Sequence, residues 1–379
     1  MAVVVLIIIS CLYALFTGLL WVTWLRMPHF RAGIDPGDRP TITVIIPVRN
    51  EASNIGYLLD DLSRQTYTHF EVIVADDSSS DNTLAIVQQF ASRALISLRL
   101  LPLSDERTAS PKKRAITYSI ALATGDLIVT TDGDCRVGPD WLASIATFYG
   151  QTGAKLISGP VTFTSGLQQP VSTLFDTLQT IEFASLIGSG ACTMALGLPT
   201  MCNGANLCYE KRVFAEVGGF TGVDHLASGD DELLMHKIAV QYPDGVHFLK
   251  AVEAIVQTHP HRSWRAFYQQ RKRWASKWRA YKSWLPTLLA LFVFVSNLAP
   301  VIAVLGWWLG FLTGSAALVV VGLKVIPEFL FLRQILVFLQ KKASVGAIPF
   351  TQLIYPFYVV FFGLAAQGKG YRWKGRNLE

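Results

Sequence analysis

Asp132-Gly133-Asp134 places two carboxylates two residues apart, and Asp76-Asp77-Ser78-Ser79-Ser80-Asp81 gathers three more with hydroxyls between them. Each cluster follows an apolar run that reads as a strand, 70–75 and 127–131. Carboxylates at two strand ends suit a hard cation, because Mg²⁺ takes one or two protein carboxylates and fills its shell with phosphate oxygens. The chemistry in view is the handling of a diphosphate. Each piece also has a plainer explanation. Asp and Gly are ordinary turn residues, and Ser80 or Asp81 can cap a following helix. Two acidic ends in one sheet are harder to explain that way.

Other groups could serve the same crevice. Lys112-Lys113-Arg114 opens a predicted helix, where the helix dipole disfavours cations, so a phosphate partner would offset that cost. Ser228-Gly229-Asp230-Asp231-Glu232 sets three acids at a predicted helix start. There they can act as caps, or one carboxylate can act as a general base. His225, His259 and His261 lack ligand-like spacing. Cys11, Cys135, Cys192, Cys202 and Cys208 are odd in number and form no CxxC, which argues against a disulfide framework or a zinc site.

The elements that must position these residues alternate. Strands are predicted at 41–48, 70–75, 95–101 and 127–131, and helices at 53–64, 81–92 and 111–123. That pattern predicts an α/β fold with a mostly parallel sheet and helices on both faces. Ligands then bind beyond the carboxyl ends of the strands. No GxGxxG follows the first strand and no GxxxxGK[ST] occurs, so dinucleotide and P-loop readings lose their main support.

Composition sets the surroundings. Of 379 residues 51% are hydrophobic and only 16% charged, with mean hydropathy +0.37. A soluble globular chain carries about 25% charged residues. Residues 2–25, 283–323 and 343–368 contain no charge at all. A crossing helix needs roughly 20 apolar residues, so the three stretches can supply one, two and one crossings. Arg26 and Arg31 follow the first stretch, which by the positive-inside rule puts residues 26–282 in the cytoplasm. Residues 262–284 interleave Lys and Arg with aromatics, and Trp264, Tyr268, Arg271, Trp274, Trp278 and Tyr281 recur at helical spacing. Such a stripe could bind single-stranded nucleic acid. Immediately before an apolar stretch it reads instead as an amphipathic helix in the membrane interface, with no nucleic-acid partner.

Taken in order, these pieces resemble the membrane-bound family 2 glycosyltransferases, which have the GT-A fold. TITVIIPVRNEASNI, ADDSSSDNT, KKRAITYSIALATGDLIVTTDGDC, CNGANLCYEKRVFAEVGGF, SGDDEL and the QxxRW of Gln270–Trp274 follow the family's order across about residues 41–275. The likeness extends to its lipid (ceramide-type) members and to the smaller processive polysaccharide synthases.

The resemblance implies an inverting transfer from a nucleotide-sugar, usually a UDP-sugar, with Mg²⁺ or Mn²⁺ as cofactor. It assigns Asp76 or Asp77 to the nucleobase, Lys112 to the uridine and phosphates, and Asp132 to the ribose or sugar and the metal site. Asp134 ligates the metal. Asn203, Gly204 and Asn206 line the sugar and acceptor pocket. Asp231 is the base, with Asp230 its alternative because Glu is usual there. Gln270, Arg273 and Trp274 close over diphosphate and acceptor. The expected organisation is a transmembrane helix at 1–25, a linker at 26–40 and a cytoplasmic GT-A domain at 41–261. An interfacial helix follows at 262–284, then a transmembrane region at 285–368 and a basic tail at 369–379.

The expected acceptor is a membrane lipid or lipid-linked sugar, presented by residues 165–200 and 262–284 of a multi-pass protein of the cell membrane. About four crossings are few for a polymer channel, which sets a processive synthase second. A scaffold that only binds a nucleotide-sugar comes third, since it has no use for a base. A crossing at 346–367 would put Lys369, Arg372, Lys374 and Arg376 outside, against the positive-inside rule. Pro349 and Pro356 suggest a re-entrant or interfacial segment there instead. Lys324, Glu328 and Arg333 could pair, face the acceptor path, or snorkel to the interface.

Overall fold

A computed structural model of the chain describes residues 2–31, 40–104, 108–164, 173–275, 285–365, 371–373 and 376–378. The expectations for 165–172 and 276–284, most of the 26–40 linker, and parts of the 369–379 tail lie outside them. In chain order the elements are α1 Ala2–Arg26, β1 Ile42–Val48, α2 Ile55–Leu62, β2 Phe70–Asp76, α3 Thr83–Ala91 and β3 Ser97–Pro102. Next come α4 Pro111–Leu122, β4 Leu127–Thr130, α5 Trp141–Thr152, β5 Leu156–Ser158, β6 Val161–Phe163 and α6 Leu174–Ala195. Then follow β7 Leu207–Glu210, α7 Lys211–Glu216, α8 Glu232–Gln241, β8 Val246–Phe248, β9 Val256–Thr258 and α9 Trp264–Ala275. The chain continues through α10 Leu285–Trp308, α11 Gly314–Phe338, a 3₁₀ turn Lys342–Ala347, α12 Ile348–Ala365, and the strands β10 Tyr371–Trp373 and β11 Arg376–Leu378. The tail, expected only to be basic, thus carries a two-stranded antiparallel pair.

Two compact units emerge. One comprises 28–170, 193–260 and 370–379, the other 1–27, 171–192 and 261–369. The first, the sheet unit, is built on seven strands in the order β3-β2-β1-β4-β7-β5-β8. β1, β2, β3 and β4 run parallel, and β7 is antiparallel to both its neighbours. β1 (ITVIIPV) is central and almost wholly buried, as a strand covered on both faces must be. Pro47 is tolerated there because β4 pairs only with Ile42–Ile45, leaving Pro47 a neighbour on one side alone. The register Val48↔Asp76 carries β1 and β2 to one common end.

Among the described residues, the other, helical unit holds four helices long and apolar enough to cross a membrane: Val3–Arg26, Thr287–Trp308, Gly314–Phe338 and Lys342–Ala365. Leu6 packs with Ala299, Ala303, Ala317 and Val320, small residues that let helices approach closely. Lys324 and Glu328 on α11 settle the snorkelling question. Lys324 Nζ lies 2.8 Å from Glu328 Oε2 and 3.0 Å from Gln352 Oε1, and Tyr13 donates to Glu328 Oε1. Both side chains are buried, so they pair inside the unit, whereas Arg333 is exposed. The aromatic stripe of α9 also packs inward in part: Trp264 and Tyr268 meet Phe362 of α12 at 6.3 and 5.9 Å.

Candidate active site

The site of the sheet unit is assembled at the carboxyl ends of β1, β2 and β4. Leaving β2, Asp76 and Asp77 are buried, 1% and 3% exposed. Asp77 is held from two sides, by Arg114 Nη2 at 2.9 Å and Arg49 Nη1 at 3.7 Å. Asp76 Oδ2 accepts from the Ser79 amide at 3.0 Å, but its Oδ1 is buried with no hydrogen-bond partner. The sequence left Asp76 and Asp77 as equals; the geometry leaves the spare acceptor on Asp76. Ser78 (φ 56°) and Asn50 (φ 54°) both adopt the left-handed region without being glycine, a costly conformation that cross-bracing sustains. Asn50 Oδ1 accepts from the Ser80 amide at 2.8 Å, and the Asn50 amide donates to Ser79 Oγ at 2.9 Å. The N-cap of α3 is Asn82 rather than the expected Ser80 or Asp81, and Asp81, one residue earlier, accepts from the Thr83 amide at 3.0 Å.

Beyond β4, Gly133 has ordinary φ. Its lack of a side chain serves space, because a Cβ there would stand 2.8 Å from Val48 Cγ1. Arg136 anchors this turn from behind. It is paired with the buried Asp61 at 2.8 Å, and its amide donates to Gln257 O at 2.7 Å. Cys135 is buried, and that burial, then Asp134 and Asp132, pushes its thiol well up. It stays protonated, with Sγ 3.9 Å from Asp134 Oδ1.

The three cations opening α4 each reach a different wall. Lys112 Nζ bridges Asp132 Oδ1 at 2.8 Å and Asp230 Oδ2 at 3.1 Å. Burial by itself lowers the pKa of this ammonium, but Asp132 and then Asp230 outweigh that effect and raise it. Lys112 therefore stays charged and ties the Asp132–Asp134 turn to the Asp230–Asp231 pair. Arg114 joins Asp77 to the Ser104 carbonyl. Lys113, 2% exposed, donates to the carbonyls of Val223, Leu226 and Ser228 at 2.6, 2.8 and 3.0 Å. The expected phosphate partner is thus unnecessary for Lys113 and Arg114, because protein oxygens offset the dipole cost. Lys113→Met removes three charge-assisted bonds and is expected to cost about 3 kcal/mol, read as a lower melting midpoint of the purified protein.

The segment Lys113 pins carries the candidate base. Gly229 takes φ +84°, and a Cβ on it would lie 2.8 Å from Leu233 Cδ1, so only glycine makes this turn. Asp231 then caps α8, its Oδ1 accepting from the Glu232 amide at 2.7 Å and its Oδ2 from the Gly204 amide at 3.1 Å. Gly204 O in turn accepts from Thr130 Oγ1 at the end of β4, at 2.9 Å. The capping reading of SGDDE therefore holds for Asp231, whose second oxygen faces Gly204. Asn203 folds its Oδ1 back onto the Ala205 amide at 2.9 Å. Asn206 is fully engaged by Pro160 O, Ala254 O and Trp141 Nε1 at 2.9, 2.8 and 3.0 Å, which makes it a brace. Gln270, Arg273 and Trp274 lie on α9 of the helical unit.

Among the described residues no group of three or more His, Cys, Asp or Glu could hold a metal by itself. Asp132 and Asp134 offer hard oxygens only, and Asp132 is already shared with Lys112. This donor set fits a Mg²⁺ or Mn²⁺ ion that takes most of its shell from a bound diphosphate and water.

The family profile described as Glycosyl transferase family 2 matches residues 43–174, and that described as Glycosyl transferase family group 2 matches residues 127–366. The glycosyltransferase AglE of Haloferax volcanii is 31% identical over 194 residues, 51% of this chain and 59% of that protein. Dodecaprenyl-phosphate galacturonate synthase of Rhizobium johnstonii is 30% identical over 118 residues, 30% of this chain and 33% of that one. The chain thus spans under two thirds of the length of either relative. The solved mannosyltransferase PcManGT of Pyrobaculum calidifontis, in complex with GDP-Man and Mn²⁺, has the same fold. Its TM-score is 0.57 at 19% identity, covering 93% of this chain and 99% of that one.

Proposed function

Because the chain belongs to glycosyl transferase family group 2, we propose that it is an inverting glycosyltransferase. It moves a sugar from a UDP-sugar to a membrane lipid or lipid-linked acceptor. The observation that carries this reading is Lys112, which bridges Asp132 and Asp230 and so draws the acidic turn after β4 and the residue next to the candidate base Asp231 into one crevice. Inversion asks for one group that removes the acceptor hydroxyl's proton and others that stabilise the departing diphosphate. Asp231 supplies the first. For the second, Asp134, with Asp132 beside it, would hold a divalent cation, which neutralises diphosphate charge when bound.

Asp76 Oδ1 is a buried acceptor that suits an imide N–H, which uracil and guanine both carry; the resemblance favours uracil. Gln270, Arg273 and Trp274 are assigned to donor and acceptor by the QxxRW pattern alone. A membrane acceptor is supported by the four long apolar helices and by a relative whose name specifies a polyprenyl-phosphate product. The residues flanking α1 support a cytoplasmic sheet unit in a multi-pass protein of the cell membrane.

The test is release of nucleoside diphosphate from a panel of UDP- and GDP-sugars with Mn²⁺ or Mg²⁺, with and without membrane lipid extract. Lipid-dependent release of UDP from one sugar is expected. A product that lengthens without added lipid points to a processive polysaccharide synthase. UDP binding without turnover of any donor points to a scaffold.

A further inference from the structure

Within the helical unit α9 is gripped by a charge pair that the QxxRW spacing does not reveal. Arg271, one of the two unspecified positions of that motif, is 3% exposed. Its Nε donates to Glu182 Oε1 of α6 at 2.9 Å and its Nη2 to Oε2 of the same carboxylate. Tyr358 of α12 donates to Glu182 Oε1 at 2.8 Å. The guanidinium lies 4.5 Å from the ring centre of Phe267 and 4.3 Å from that of Trp274. Its Nη1 donates to Gln270 Oε1. Phe183, next to Glu182, stacks on Trp274 at 6.1 Å and 27°. Two of the three motif residues, Gln270 and Trp274, are thus touched directly by Arg271.

Stability is a poor reason for this arrangement. Burying two charges costs several kcal/mol per ion, and apolar replacements of buried pairs are often neutral or stabilising. What a bidentate guanidinium–carboxylate pair supplies is direction, because its planar fork fixes both partners at once. We propose that Glu182 and Arg271, steadied by Tyr358, are positioning residues for glycosyl transfer: they hold Gln270 and Trp274 in place before the donor arrives. The inference rests on the transferase reading above. Arg271 touches no substrate on this view; it acts through its two neighbours.

The experiment uses the full chain in detergent. Arg271→Lys keeps the charge but loses the fork and the stacking. It is expected to lower kcat about 100-fold, the scale of a misplacement near 1 Å, with donor KM little changed. Tyr358→Phe removes one hydrogen bond from Glu182 and is expected to lower kcat about five-fold. Hydrogen exchange across 264–275 should rise in both variants.

The double variant Glu182→Leu/Arg271→Met guards against simple misfolding, since apolar partners keep the packing. Positioning predicts that it melts no lower than wild type yet stays about 100-fold slow. Full turnover in a well-folded double variant overturns the proposal, and so does wild-type kcat in Arg271→Lys. Failure of the parent reading looks different, because then wild type turns over no donor in the panel. In that event unchanged α9 exchange in Arg271→Lys overturns the clamp independently.

Discussion

Asp231→Asn is expected to lower turnover by about 10³-fold, within the range that a positioned general base contributes, while UDP still binds in the presence of Mn²⁺. The substitution is discriminating because Asp231 has a second task. Its Oδ1 caps α8 and its Oδ2 takes the Gly204 amide. Asn caps a helix about as well as Asp, so the first contact survives and only the second is lost. Stability should therefore fall by about 1 kcal/mol, too little to explain a thousand-fold loss. Asp230→Asn removes one of the two carboxylates on Lys112, which loosens the crevice but leaves the cap intact. Its expected effect is smaller, near ten-fold. Should Asp230→Asn prove dead while Asp231→Asn keeps more than a tenth of its rate, the base is Asp230.

Chelation with EDTA is expected to abolish turnover, and Mn²⁺ or Mg²⁺ to restore it. Asp134→Asn should lose at least 10²-fold in kcat, because charge on the departing diphosphate is then poorly stabilised. UDP affinity should weaken in the same variant, since cation and diphosphate share one shell. Asp132→Asn makes the useful contrast. Asp132 is shared with Lys112, so its loss disturbs the bridge to Asp230 as well as any metal ligation. Its product-release and donor-binding parameters should both move, whereas Asp134→Asn should move chiefly those that depend on metal concentration. Turnover unaffected by EDTA, with Asp134→Asn near wild type, would rule out a metal-assisted transfer at this turn.

Much of the architecture is local in origin and could be read from local signals. Apolar runs alternating with amphipathic stretches fall within a few residues of β1, α2, β2, α3, β3, α4 and β4; for β1, β2 and β4 the reason is that burial on both faces of a parallel strand demands continuous apolar sequence. The acids after β2 and β4 stood out because such residues break the apolar pattern where the chain leaves the sheet. Uncharged stretches of crossing length marked α1, α10 and α12, since a hydrocarbon core tolerates little else, whereas α11 runs on through Lys324, Glu328 and Arg333.

Partnership was decided by tertiary structure. Lys112, Lys113 and Arg114 are alike and adjacent in sequence, yet one bridges two acids, one pins three carbonyls 110 to 115 residues away, and one holds Asp77. Asn206 looked like a pocket residue and is a fully bonded brace. Asp61 with Arg136, and Glu182 with Arg271 across 89 residues, carried no signal in spacing. Residue type and periodicity report what a side chain needs, whether burial, a donor or a counter-charge. Which atom meets that need depends on contacts between segments far apart in sequence, and only the packed chain brings those together.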